Sequence, residues 1–223
     1  MNDVTTEEKI INGIEDILAR LRTGQPHTVE GQMLTLKSKL PFKLLSVREL
    51  FIVRVFDLAE SAWCLYKEGK RLSAIVLMRA CLETCCLTYY TNKKSKHFLT
   101  NSDDREFDDV LNRILFGSKD IEKNPDPINI LTVIDHVNKE YDGIRKMYDL
   151  LCEYAHPNYR GLLEAYGSTE DKFKLKVGSN LRDIPPAFGL APFFMGLSIF
   201  VNEYNELESA VAKINSYFED NST

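Results

Sequence analysis

Two stretches of this chain carry side chains that could do chemistry together. Arg79 and Glu83 stand four residues apart in MRACLETCC, so a helix puts both on one face, where they can form an ion pair. Their neighbours Ile75, Val76, Leu77, Leu82, Cys86 and Leu87 are apolar. Charge in such surroundings needs a partner and hydrogen bonds, so the pair reads as a polar seam between helices or as the guanidinium and carboxylate of a site. The second stretch, YDLLCEYAHPN from Tyr148 to Asn158, ends an amphipathic segment at His156, directly before Pro157. A helix C-terminus and the carboxylate of Glu153, one turn back, both favour an imidazolium there. Such a histidine suits general acid–base work near neutral pH, or it can cap the helix and anchor the following loop.

Metal chemistry is less well supplied. Glu153 and His156 have the i, i+3 spacing of di-iron bundles, but no other histidine has a glutamate three residues before it. Cys81, Cys85, Cys152 and His156 could give tetrahedral zinc ligation, although Cys-x3-Cys on an apolar helix is the ordinary pattern of small core residues. Cys152 and His156 share a helix face without recognisable oxyanion donors, which argues against a cysteine nucleophile. Glycine motifs that cradle phosphates are absent, and the basic run KKSKH (93–97) reads as a solvated turn at a helix end. The expectation is no metal and no cofactor.

The elements that must position these residues are helical. Apolar residues recur at i, i+3/i+4 and i+7 over 4–22, stopped by Gly24 and Pro26; a weaker segment covers 32–40 and ends at Pro41. Ser46 is expected to cap a helix reaching about 68, and after Gly69 a second helix over 72–90 returns antiparallel. The spacing then predicts a polar connector over 92–101, helices over 103–116, 127–139 and 142–156, and a β-hairpin over 162–177 with its turn at 167–171. A long, very apolar helix follows over 186–218, with Pro192 as a point where it can kink. The predicted fold is one all-α domain over 1–223, an up-and-down helical bundle. It comprises N-terminal helices (1–40), a core bundle (44–158), a small inserted hairpin (162–177) and the C-terminal helix.

Composition narrows the functional classes. At 223 residues with 44% apolar and 27% charged side chains, the chain can bury a core and is not disordered. A net charge of −5 gives no global basic field to attract nucleic acid or anionic lipid. The longest apolar run, 187–201, contains Pro192 and is too short to span a bilayer, so no membrane association is expected. The polar start MNDVTTEEKI reads as neither a signal nor a transit peptide, and five cysteines in apolar-periodic segments read as free thiols, so a cytoplasmic location is expected.

Arg79 and Glu83 on one core helix, followed by a helix ending Tyr-x-x-Leu-Cys-Glu-Tyr-x-His-Pro-Asn (Tyr148 to Asn158), resemble the HEPN-like all-helical proteins, in particular a bacterial branch with a Tyr…Ser/Cys…His signature. The resemblance covers about 44–158. It implies an up-and-down bundle, often dimeric, in a family that includes metal-independent ribonucleases of toxin and defence systems. Those nucleases carry Arg-x4–6-His on one helix, the arginine stabilising phosphate and the histidine handling a proton. Here the nearest arginine before His156 is Arg145, eleven residues earlier, and Arg160 follows it. The site implied is therefore composite, with Arg79, Glu83 and His156 as the catalytic set and Tyr148, Glu153, Asn158 and Arg160 as substrate contacts. RNA or a nucleotide is the expected ligand, and a second copy of the chain the expected partner. The alternative is a non-catalytic interaction module with a protein partner, in which Arg79, Glu83 and His156 form a structural polar network.

Overall fold

The computed structural model of the chain describes residues 5–32, 34–178, 185 and 188–220. Its axis is a pair of long helices, α3 (Arg71–Asn101) and α7 (Leu190–Asp220), packed on each other along much of their length. α1 (Thr6–Thr23) and α2 (Leu40–Lys67) lie on one side of this pair, with α4 (Asp104–Phe116) across one end. α5 (Ile130–Asn138) and α6 (Ile144–Ala155) cover the opposite face of α3. Two apolar clusters result. One joins α1, α2, α4 and α7 to Met78, Cys81, Cys85 and Phe98 of α3; the other joins α5 and α6 to Ile75, Leu82, Cys86 and Tyr89. The architecture is thus the expected all-α bundle with a small hairpin before its last helix.

Local sequence explains most ends. Thr5 and Glu8 form a capping box at the start of α1. Gly69, at φ 78°, makes the tight link that turns α3 back on α2. Asp103 accepts from the backbone N–H groups of Arg105 and Glu106, and Asn129 from that of Leu131, capping α4 and α5.

Several boundaries differ from those the spacing predicts. Of the segment expected over 32–40, the described residues before Leu40 are not helical; α2 begins at Leu40, with Pro41 in its first turn, where a missing N–H loses no helix bond. Ser46 lies inside α2 and donates to the Phe42 carbonyl at 2.8 Å, so it is not a cap. The polar run 92–101 is no connector: α3 continues through it to Asn101. The buried hydroxyls of Thr84, Thr88, Thr91 and Ser95 donate to carbonyls of their own helix, which lets polar residues occupy its interior face. The helix expected from Pro127 begins at Ile130, because the carbonyls of Asp126 and Pro127 accept instead from Arg113 of α4.

The hairpin is shifted as well. Residues 162–166, expected as its first strand, are helical and belong largely to a π-helical turn (Tyr159–Glu164) begun by Asn158. The expected turn 167–171 is itself the first strand, β1 (Gly167–Asp171), paired antiparallel with β2 (Lys174–Val177) in register Gly167↔Val177. β1 buries only Gly167, so its sequence shows no alternation. Pro192 sits in the first turn of α7 and kinks nothing, while a start at Pro186 falls outside the described residues. α3 is the one described helix long and apolar enough to cross a membrane, and 56% of that window is buried inside the bundle.

Candidate functional site

α3 and α6 meet in a closed triangle of hydrogen bonds. Arg79 and Glu83 stand one turn apart on α3, their Nη2 and Oε1 atoms 3.1 Å apart. Tyr148, buried on the facing side of α6, donates its hydroxyl proton to Glu83 Oε1 at 2.9 Å and accepts from Arg79 Nη2 at 3.1 Å. The guanidinium carbon lies 5.4 Å from the tyrosine ring centre, within cation–π range. Burial and the charge of Glu83 push the Tyr148 phenol well above its ordinary value, against the pull of Arg79, so the hydroxyl stays protonated at neutral pH. Burial works against the Arg79 cation, but the bond to Tyr148 and the charge of Glu83 outweigh it and raise its pKa. Nη2 carries both bonds, and the buried Nε–H has no partner among the described residues.

Arg79 opens on a cleft of about 860 Å³ whose wall also includes Tyr148, Cys152 and His156 of the α6 segment. His156 is placed there by its neighbour. A residue before proline is pushed to extended backbone, so α6 stops at Ala155 and His156 takes φ −88°, ψ 147°, its N–H still bonded to the Cys152 carbonyl at 3.0 Å. The loop beyond returns against it: a Cβ on Gly161 would stand 1.9 Å from the His156 carbonyl oxygen, a contact only glycine avoids. Arg79 and His156, distant in sequence, therefore line one open cavity, and the His156 side chain is exposed.

The remaining predicted residues divide. Glu83 braces Arg79 and Tyr148 from behind and is not part of the lining. Glu153, Asn158 and Arg160 are also outside it. Asn158 accepts from the backbone N–H groups of Arg160 and Gly161 and donates to Glu153 at 2.8 Å, while the Arg160 guanidinium lies over the Tyr154 and Phe188 rings. These three fasten the π-helical turn to the end of α6.

Sequence reasoning missed other members of the wall. Arg145 is held by Asp135 at 2.6 Å and Asp149 at 3.0 Å; Lys119 and Asp126 come from the loop before α5. Arg145, Tyr148, Asp149, Cys152 and His156 recur at helical spacing, a stripe that the sequence does display. Lys119 gives no such signal.

Metal chemistry gains no support from the geometry. Cys81 and Cys85 face the α2 and α7 side of α3, with Cys81 Sγ 3.9 Å from the Val55 carbonyl, whereas Cys152 belongs to the α5–α6 side. The zinc set is therefore split across the helix, and no group of three metal-ligating side chains occurs among the described residues. Burial pushes the Cys86 thiol up to about 12 and raises the Cys85 thiol well above its ordinary value, away from nucleophilic use.

Comparison with models of known protein families, with curated proteins and with solved structures gives no match to this chain.

Proposed function

We propose that the cleft is the active site of a HEPN-like, metal-independent endoribonuclease. The observation that supports this reading is the meeting of Arg79 and His156 in one solvent-open cavity, with Arg79 braced from behind. Arg79 holds the scissile phosphate, while Tyr148 and Glu83 are positioning residues that fix its guanidinium. His156 in its neutral form takes the proton from a ribose 2′-hydroxyl. That oxygen bonds to the neighbouring phosphorus as the bond to the 5′ oxygen breaks, and the departing 5′ oxygen takes a proton from water. The products are a 2′,3′-cyclic phosphate and a free 5′-hydroxyl. Five free thiols suit a reducing cytoplasm, where we place the protein as a homodimer.

The test is cleavage of a mixed RNA pool in chelator by the wild type, His156→Ala and Arg79→Ala, each checked for folding by circular dichroism. Cleavage is expected in the wild type, falling about 10²–10⁴-fold without the proton carrier and about 10²–10³-fold without the phosphate donor. An inactive wild type, or undiminished cleavage by His156→Ala, rejects the reading.

A second reading, a non-catalytic interaction module, is favoured by the hairpin. Phe173 is 95% exposed and Val177 72%, and Leu175, Leu162 and Tyr166 share a shallow apolar pocket with Val177. Exposed apolar surface of this kind marks contact sites. Loss of partner capture, with no RNA chemistry, after Phe173→Ser and Val177→Ser would select it.

A further inference from the structure

We propose that a second pocket, at the far end of α5, binds the phosphates and a base of a single-stranded RNA whose reacting phosphodiester lies in the cleft; this rests on the ribonuclease reading. The pocket, about 280 Å³, is lined by Tyr90, Lys93, Lys94 and His97 of α3 and by His136 and Lys139 at the C-terminal end of α5. Its cations outnumber its one lining carboxylate, Glu140, which pairs with Lys93 at 2.5 Å. Lys94 is tied to Glu106 at 2.6 Å, and Lys139 is exposed. Glu106 also stands 3.5 Å from His97, so three lysines face two carboxylates, a small local excess of positive charge carried by Lys139, unpaired among the described residues, in a chain of net charge −5. Aromatic surface is interleaved with the charge: the Tyr90 and His136 rings meet edge to face at 5.7 Å, with Lys94 Nζ 5.7 Å from the Tyr90 ring centre. Cationic groups that track phosphates beside rings on which a base can stack are the elements of single-strand recognition.

Placement ties the pocket to the cleft. Arg79, Glu83, Cys86, Tyr90, Lys93 and His97 recur at helical spacing on α3, so the two pockets lie on one side of one helix, separated by a stretch where Cys86 is buried beneath α5 and α6. Arg79 and Lys93 lie about 21 Å apart along the axis at 1.5 Å per residue, a distance a strand of several nucleotides spans. α5 forms part of both walls, Leu131 at the cleft and His136 and Lys139 at the second pocket. The outer face of α5 between them is exposed, and its acid Asp135 is already paired with Arg145.

The probes are 2′-O-methylated oligouridylates of three and twelve nucleotides, which lack the attacking hydroxyl and are not cut, titrated by fluorescence anisotropy. The wild type is expected to bind the 12-mer at least about tenfold more tightly than the 3-mer, beyond the statistical gain from additional sites. His136→Ala with Lys139→Glu, both exposed positions, should reduce this length gain to near one and lower the salt dependence of 12-mer binding, with the melting temperature unchanged. A length gain that survives in this variant, or is absent from the wild type, overturns the proposal. Failure of the cleft reading looks different: Arg79→Ala would leave 3-mer affinity unchanged while the length gain persists.

Discussion

At Arg79, α3 sets a cation against Tyr148 and Glu83 at the rim of a cleft; thirteen residues further along, at Asn92, it sets an amide between Glu203 and Glu206 beneath α7. Both are polar clusters on one helix, each built from three side chains and two elements. Their exposure separates them. Asn92 is fully buried and Glu203 7% exposed, whereas the Arg79 and Glu83 side chains retain 30% and 26%. The Asn92 amide donates to Glu203 at 2.5 Å and to Glu206 at 2.9 Å, so both of its N–H bonds are used internally. Arg79 lines the cleft, and its buried Nε–H has no partner among the described residues. A closed network locks two helices together; an open one leaves a hydrogen-bonding group for a ligand.

The sharpest way to break this contrast is Asn92→Leu. It strands the buried Glu203 carboxylate without its donor, and urea unfolding should show a loss of about 2–3 kcal/mol while cleavage per folded molecule is unchanged. A loss of cleavage at unchanged stability would place the buried cluster in the functional site. Tyr148→Phe should act the other way. Arg79 and Glu83 keep their direct pair, so stability changes by no more than about 1 kcal/mol, whereas the unsteadied guanidinium lowers kcat about tenfold with KM little moved. Equal effects on both quantities would make this cluster structural too.

Smaller effects sharpen the boundary. Burial and the nearby charge of Glu206 raise the pKa of Glu203 above its ordinary value of 4.5, against the pull of Asn92 and of Lys96 and Lys93. A carboxyl whose pKa is raised on folding contributes stability below its unfolded value, and that contribution is lost as pH rises through the folded value. Glu203→Gln should therefore melt progressively higher than the wild type as pH climbs from about 4.5 to 7; a constant offset would reject this titration. The smallest change belongs to the rim of the buried cluster. Lys96 and Glu206 are each about half exposed, and Lys96→Ala should shift stability by less than about 0.5 kcal/mol in a melting experiment.

Much of the fold follows from residue order alone. Apolar spacing at the helical period, the caps Thr5 and Asp103, and the break at Gly69 settle the all-α class and most helix positions, because these signals are local and nearly independent of what packs against them. Arg79 and Glu83 were legible as a pair for the same reason, and His156 as a helix end before Pro157. What required the tertiary structure is every feature whose cause lies elsewhere in the chain. Asn92 and Ser95 stay helical because α3 carbonyls and α7 carboxylates receive their donors, and β1 is a strand because β2 pairs with it. Lys119 reaches the cleft from a loop without periodicity, while Glu153, Asn158 and Arg160 turn inward to hold one another and the π-helical turn. The cleft itself is a relation between α3, the loop before α5 and the end of α6. Helical spacing specifies which face a side chain occupies, but only packing decides which face of another helix it meets and whether water remains between them.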